Sequence, residues 1–300
     1  MRVGAHLPLI DFDGTPFTPL SFPAYVDAAR DGGFFAVSAN DHLVFQRPWL
    51  DGIVALSSVL ERSGELTLTT TVALPVIRGP VATAKSAAAL QLLSGGRFVL
   101  GVGPGSSKRD YDAVGLPFEE RWPRFDRDLR VLRAALTDPV ALEPAPTHQI
   151  PIWVGSWGSA AGLRRVARLG DGWLASAYNT TPEQLTAGRD LLHDALRSAG
   201  REAAGFPIAL ATAWTYLTDS EKEARARLAA LARILGRDPD RLAGQALIGG
   251  ADHCTALLRR YAEAGVDAVF IWPLGDPVAQ LQRFGAEILP RLGRRTLPGG

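Results

Sequence analysis

The residue types best suited to proton chemistry sit together in Ser38-Ala39-Asn40-Asp41-His42, at the end of a short apolar run. An imidazole takes or gives a proton near neutral pH, and a carboxylate beside it can orient the ring. Asp41 is suited to that orienting role or to contact with a cofactor; the plainer reading of His42 is a loop histidine capping a backbone carbonyl. His6, near the end of the first apolar run, is a second candidate, whereas His148, His193 and His253 fall in a loop or on helical stretches and read as structural. Two glycine-rich segments follow other apolar runs. Gly101-Val102-Gly103-Pro104-Gly105-Ser106-Ser107 would let a flat ligand approach the backbone closely. It lacks the spacing of the dinucleotide fingerprint, and no helix opens directly after it. Gly155-Ser156-Trp157-Gly158-Ser159 runs into an amphipathic stretch. Free N–H groups of a first helical turn plus two hydroxyls would make an anion cradle there, the alternative being a simple tight turn. Thr70-Thr71-Val72-Ala73-Leu74-Pro75 places small and apolar residues at a further strand end, suited to a wall against a ring system.

Two rival chemistries are weaker. Asp11-Phe12-Asp13-Gly14-Thr15 reads like the D-x-D-G-T motif of haloacid-dehalogenase-type phosphatases. That chemistry also needs a lysine and a downstream acidic pair. Lys85, Lys108 and Lys222 have no such context, and Gly170-Asp171-Gly172 lacks the second acid. A polar loop with an Asp-Gly turn is the simpler reading. A metal-dependent hydrolase would place His and Asp at successive strand ends. Here the fourth and fifth runs lead into Gly103 and Ser156 and the sixth and eighth end in Ala177 and Pro273, so no metal site is expected. One cysteine, Cys254, excludes an intramolecular disulfide and any multi-cysteine metal site. Thirty-two basic against 31 acidic residues leave a formal charge of +1, which gives no electrostatic case for nucleic acid or an anionic membrane. No apolar stretch approaches the ~20 residues of a membrane span, and Met1–His6 lacks the apolar region of a signal peptide. A cytoplasmic chain acting on a small molecule is expected.

The elements that must position these residues alternate from end to end. Strand-like runs are predicted at Val3–Leu9, Phe34–Ala39, Leu66–Leu74, Arg97–Val102, Ile150–Gly155, Gly172–Ala177, Pro207–Leu217 and Ala268–Pro273. Helices are predicted at Pro23–Asp31, Gly52–Glu61, Pro80–Leu93, Trp122–Leu136, Ala160–Leu169, Pro182–Ala199, Ser220–Leu235 and Pro277–Leu289. Thr181-Pro182-Glu183-Gln184 is a capping box, Thr218-Asp219-Ser220-Glu221 repeats it without proline, and Asp276-Pro277 opens the last helix. Eight strand–helix repeats predict an α/β fold, a single (β/α)₈ TIM barrel over residues 1–300. Between the seventh and eighth strands lie the turn Gly236-Arg237-Asp238-Pro239, an apolar patch Ala246-Leu247-Ile248 and a helix near Asp252–Ala264, read as an insertion within the barrel. Gly293–Gly300 reads as a frayed tail. In such barrels the working residues lie where strands end and loops begin, which is where the segments above fall.

The chain resembles the luciferase-like superfamily, which includes bacterial luciferase, alkanesulfonate monooxygenase and oxidoreductases using the deazaflavin coenzyme F420. The resemblance spans nearly the whole length. It is most specific from Asp41-His42 through Leu93-Ser94-Gly95-Gly96-Arg97-Phe98-Val99-Leu100-Gly101-Val102-Gly103, continuing to Gly115-Leu116-Pro117-Phe118 and Glu120-Arg121. Pro151-Ile152-Trp153-Val154-Gly155-Ser156 and Ala264-Gly265-Val266-Asp267 match in kind and order. The resemblance implies that His42 is the active-site histidine. It implies a cis peptide at Thr71–Val72, with Ala73 beside it, forming a bulge against the cofactor ring. Gly103, Gly105 and Ser106 would line the cofactor, and Gly155, Ser156, Trp157 and Gly158 would form its phosphate loop. In the sugar-phosphate dehydrogenase branch a glutamate follows the loop glycine, where this chain has Ser106, so that substrate is not expected. The implied function is F420-dependent hydride transfer with a small organic substrate. The alternatives are an FMN-dependent monooxygenase and, remotely, the phosphatase; a barrel that has lost catalysis is disfavoured by His42 and the phosphate loop. A homodimer is a further expectation of the resemblance.

Overall fold

The computed structural model describes residues 1–10, 21–138, 140–146 and 148–293. The Asp11–Thr15 motif and the tail after Gly293 therefore lie outside the described residues. The described strands are β1 (Arg2–His6), β2 (Ala36–Ala39), β3 (Thr67–Thr70), β4 (Phe98–Val102), β5 (Ile152–Gly155), β6 (Gly172–Ser176), β7 (Ile208–Leu217), β8 (Leu247–Gly249) and β9 (Ala268–Pro273). They pair in parallel in the order β1 to β7, then β9, which returns to β1 and closes an eight-stranded barrel. The predicted barrel and its insertion are thus present, with one correction. Leu247–Gly249, read from sequence as part of an apolar patch, is a ninth strand outside the barrel, paired with Thr215–Leu217 at the overhanging end of β7. Three residues are too few to show a period, and their partner lies some 30 residues away.

The helices are α1 (Ser21–Asp31), α2 (Gly52–Ser58), α3 (Pro75–Arg78), α4 (Pro80–Leu93), α5 (Lys108–Ala113), α6 (Arg121–Thr137), α7 (Ala160–Leu169), α8 (Pro182–Ser198), α9 (Glu221–Leu235), α10 (Pro239–Ala243), α11 (Ala251–Glu263), α12 (Pro277–Glu287) and α13 (Leu289–Leu292). The capping box at Thr181 forms, with Gln184 N–H donating to Oγ1 at 3.3 Å and Thr181 N–H donating to Gln184 Oε1 at 3.0 Å. The second box is displaced. Ser220 caps α9, while Thr218 Oγ1 donates to Glu223 Oε2 at 2.7 Å. Asp276 caps α12 as expected. The short α3, α5, α10 and α13 were not anticipated, because one turn of helix carries no readable period.

Packing inside the barrel decides which residues reach its mouth. Trp153 and Phe270 form a separate inner cluster with Ala36, Leu174, Ala209, Ala211 and Ala268. Their bulk requires small neighbours: a Cβ on Gly4 would lie 2.6 Å from the Phe270 ring, and one on Gly172 would lie 2.5 Å from Trp153. Along β9, Ala268 and Phe270 belong to this inner cluster and Val269 and Ile271 to the outer one. Strand alternation therefore sends Trp272 inward at the top, where His6, two residues beyond Gly4, stacks on it at 3.6 Å. In β7 the alternation is interrupted. Leu210 pairs with Val269 but Ala213 with Ile271, three steps against two, with Thr212 at φ 59°. A β-branched residue rarely adopts that left-handed conformation, and such bulges reverse the facing of the residues beyond them. Trp214, rather than Ala213, consequently comes to lie opposite Trp272, ring centroids 4.6 Å apart.

Candidate active site

A cavity of about 570 Å³ opens where the strands end. Its size is that of a small-molecule site. His42, Thr71, Val72, Gly103, Gly105, Ser106, Gly155, Ser156 and Trp157 all border it, as does Asp41. Residues separated in sequence by more than a hundred positions are thus brought together. Of the other residues singled out, Ala73 is fully buried behind this surface, bridging to Val102. Gly158 is not part of the lining; at φ 91° it turns the chain toward α7.

His42 has a partner that sequence reading did not identify. Its Nδ1 lies 2.7 Å from Oδ2 of Asp110, and the His42 side chain is 13% exposed whereas that of Asp110 is fully buried. The other oxygen, Oδ1, accepts the N–H groups of Leu43 and Val44, each at 2.8 Å. A carboxylate only accepts, so Nδ1 carries a proton, and in the neutral ring the lone pair is then on Nε2. Asp110 stands on α5, which is tied down by the neighbouring Tyr111 hydroxyl donating to the carbonyl of Pro104. Burial pushes the Tyr111 hydroxyl up to about 12, so it stays a donor. Contrary to the sequence reading, a helix does open directly after the glycine-rich turn that follows β4, too short to show a period, so the turn serves twice: it borders the cavity and leads into the helix that orients His42.

The floor is built around Val72. The Thr71–Val72 peptide is cis. Asp41 N–H donates to Val72 O at 3.0 Å, Ala73 N–H to Gly101 O at 2.8 Å and Gly103 N–H to Ala73 O at 3.0 Å, which locks the segment between β2 and β4. A Cβ on Gly103 would meet Val72 Cγ2 at 2.8 Å, and one on Gly155 would meet Val72 Cγ1 at 3.4 Å. These glycines leave room for the Val72 side chain to stand as a ridge. Asp41 holds the ridge from behind rather than offering a free carboxylate. Its two oxygens take Arg78 Nε and Nη2, each at 2.7 Å, and Oδ2 also accepts Leu74 N–H at 3.2 Å. Arg78 reaches Asp51 as well, at 2.5 Å, and Asp51 caps α2. Burial works against the Arg78 charge, but the hydrogen bonds and charges of Asp41 and then Asp51 outweigh it and push its pKa above the ordinary arginine value.

The remaining rim is shaped by β5 and α7. Ser159 Oγ accepts Gly162 N–H at 3.2 Å and caps α7, while Ser156 Oγ accepts Gly158 N–H at 3.3 Å. The first N–H groups of a helix have no partner within it; Ser159 takes that of Gly162, which leaves those of Ala160 and Ala161 next to Ser159, a residue of the lining. Trp157 is 58% exposed. His6 lies below the mouth, its Nε2 3.1 Å from Asn40 Oδ1. Burial is the main cause that lowers its pKa to about 3, so it is neutral and does no proton chemistry near pH 7. Cys254 is buried, and burial raises its thiol to about 12, in keeping with packing. Among the described residues there is no group of three or more His, Cys, Asp or Glu that could hold a metal ion, and no helix is long and apolar enough to cross a membrane.

Residues 12–268 match the description of the luciferase-like monooxygenase family. The chain belongs to that family. It is 27% identical over 327 aligned positions to an F420-dependent glucose-6-phosphate dehydrogenase of Beutenbergia cavernae, covering 93% of this chain and 95% of that one. With an uncharacterised Mycobacterium tuberculosis protein, 39% identical over 111 residues, it spans 38% of that protein's length. Among solved structures, the fold superposes on an F420-dependent secondary alcohol dehydrogenase in complex with an F420-acetone adduct, with a TM-score of 0.85, 16% identity and 98% and 99% of the two chains covered. It superposes on a monooxygenase from Streptomyces bottropensis with a TM-score of 0.84, 21% identity and coverage of 98% and 100%. These likenesses give the luciferase-like barrel.

In this luciferase-like site, sequence reading missed the whole aromatic side of the cavity: Phe45, Trp49, Tyr178, Trp214 and Trp272. Trp272 could have been found by counting alternate residues of β9. Trp214 could not, because the bulge at Thr212 changes the count. Asp110 sits in a polar stretch, Lys108-Arg109-Asp110-Tyr111-Asp112, where nothing local distinguishes one aspartate from the other.

Proposed function

We propose that this chain is an oxidoreductase that binds coenzyme F420 across the barrel mouth and supports hydride transfer to or from a small organic substrate. The observation that carries the reading is the Asp110–His42 pair beside the glycine-floored Val72 ridge in one cavity. Relatives and fold neighbours named as F420-dependent support the choice of cofactor. The residues present fit a flat ring with an anionic arm. Thr71 Oγ1 is buried with no hydrogen-bond partner, and the missing side chains at Gly103 and Gly155 let the Val72 ridge stand against bare backbone at the cavity floor. Val72, Gly103 and Gly105 would lie against the ring, and the Ser156–Ser159 turn with the start of α7 would hold the phosphate.

When bound, the coenzyme supplies a ring carbon that gives or accepts hydride. The protein manages the proton. Asp110 holds Nδ1–H, so Nε2 of His42 is free to take the proton of a substrate hydroxyl, and the buried carboxylate stabilises the imidazolium that results. In the opposite direction the imidazolium returns that proton to a carbonyl oxygen. Asp41 and Arg78 do not take part; they fix the segment on which the ridge stands.

The test is a side-by-side titration of the cofactor-free protein with F420 and FMN, with tighter binding of F420 expected. Preference for FMN would overturn the cofactor assignment and favour the monooxygenase reaction. His42→Ala should retain F420 affinity while losing roughly 10²–10⁴-fold in hydride transfer. Equal rates in variant and parent would remove His42 from its role.

A further inference from the structure

The cavity has two unlike halves. One is glycine, serine and backbone, on the ends of β3, β4 and β5. The other is dominated by aromatic rings carried by the segment after β2, the end of β6, β7 and β9, with the uncharged polar side chains of Asn40, Gln46, Ser176, Asn179 and Thr212 among them. Trp49 sits with its ring centroid 4.6 Å from that of His42 and 4.8 Å from that of Phe45, both edge to face or tilted. Trp272 continues the cluster, 6.1 Å from Trp49 and 4.6 Å from Trp214. Edge-to-face packing of this kind points ring edges at neighbouring ring faces. The indole N–H groups of Trp49 and Trp272 are buried in it without a hydrogen-bond partner, so the wall turns no polar atom of theirs toward the cavity.

Among the described residues, no lysine or arginine lines the same half. Among the described residues lining the cavity the arginine is Arg121, which stacks on Phe118 at 4.0 Å on the glycine-serine side. Arg237 lies over the Tyr178 ring at 5.3 Å but donates to Asn179 Oδ1 and is not part of the lining. A phosphorylated or carboxylated substrate would thus lose hydration against rings with no lining lysine or arginine on that side to replace it. The group that joins the two halves is His42, in contact with Phe45 and Trp49.

We propose that the aromatic half is the substrate subsite, and that it takes uncharged, ring-sized, largely apolar molecules carrying one carbonyl or hydroxyl oxygen, with the oxygen at His42. The sugar phosphate named for the Beutenbergia relative does not belong to this class. The proposal rests on the oxidoreductase reading for its use of the term substrate, but the binding preference stands on the wall itself.

The experiment is isothermal titration of the full chain, with and without F420, using 1-indanone, cyclohexanone and glucose 6-phosphate as probes. Saturable binding of 1-indanone is expected, cyclohexanone weaker, and glucose 6-phosphate at least tenfold weaker than either. Trp49→Ala should weaken 1-indanone about tenfold while F420 affinity moves less than threefold. Trp214→Phe, which keeps an aromatic wall should Trp49→Ala fold poorly, should hold 1-indanone within about threefold, and Trp214→Arg should lose it and gain glucose 6-phosphate. Glucose 6-phosphate binding as tightly as 1-indanone, or unchanged 1-indanone affinity in both Trp49→Ala and Trp214→Arg, would overturn the proposal. If F420 fails to bind but 1-indanone binds, the F420 assignment falls and the apolar subsite stands; if F420 binds and 1-indanone does not, the subsite falls alone.

Discussion

Replacing Asp110 with asparagine isolates what the carboxylate does for His42. Asp110 accepts three hydrogen bonds while fully buried, from His42 Nδ1 at 2.7 Å and from the amides of Leu43 and Val44 at 2.8 Å. The amide oxygen of asparagine can keep both backbone donors, so the loop after β2 should stay in place. Its NH₂ group then faces Nδ1, where two donors cannot meet. The ring is forced into the tautomer with its proton on Nε2, and that nitrogen can no longer accept a proton. Hydrogen bonds to a charged partner contribute about 1.5–3 kcal/mol each. One such bond is exchanged for a neutral one, so a loss near the lower end is expected, roughly 2–5 °C in melting temperature for a chain of this length. The rate should suffer far more, by about 10²–10⁴-fold, the usual worth of a positioned general base. Three measurements decide the matter: F420 affinity, the single-turnover rate, and the His42 tautomer from long-range ¹H–¹⁵N correlation spectra. Unchanged affinity, a collapsed rate and a switched tautomer are expected. An undiminished rate, or the same tautomer in both proteins, would refute the reasoning.

Three further outcomes follow from other contacts. Arg78→Ala leaves the Asp41 carboxylate buried without its two guanidinium bonds and should cost about 3–5 kcal/mol by chemical denaturation; Arg78→Lys, which cannot bind in the same forked way, should recover only part, and an unchanged denaturation midpoint for the alanine variant would contradict the assignment. Gly103→Ala, whose Cβ would sit 2.8 Å from Val72 Cγ2, should cost about 1–3 kcal/mol and weaken F420. Gly250→Ala, with nothing within 4 Å of the added carbon, should stay within about 0.5 kcal/mol, and equal effects at the two sites would show that crowding is not the cause. His6 bears on acid stability, since burial lowers its pKa from the ordinary 6.5 to about 3. The unfolded chain then binds a proton that the folded one refuses, so stability is full above pH 6.5 and falls as pH drops toward 3, by at most about 1.4 kcal/mol per pH unit. His6→Phe keeps a ring on Trp272 and should flatten that slope by one proton; parallel slopes in urea denaturation from pH 6.5 to 4 would argue against it.

Much of this protein is written in local patterns. Strand-like runs alternating with amphipathic segments specify a parallel barrel, because each unit buries its apolar side only against its neighbours. The capping box at Thr181, the insertion before β9 and the positions of His42, Thr71–Val72 and the two glycine turns are legible for the same reason: each depends on residues a few positions apart. What the tertiary structure alone decided are relations between distant segments. Asp110 meets His42 across 68 residues, and Arg78 takes the Asp41 carboxylate across 37, so Asp41 supports the site from behind while the less conspicuous Asp110 orients the imidazole. The bulge at Thr212 shifts the facing of β7 by one residue and brings Trp214 to Trp272. A one-residue change in register reverses every side chain beyond it, and no local pattern in Leu210–Trp214 announces that change. The chain by itself therefore determined the barrel and where its mouth lies; folding in three dimensions determined which side chains meet there.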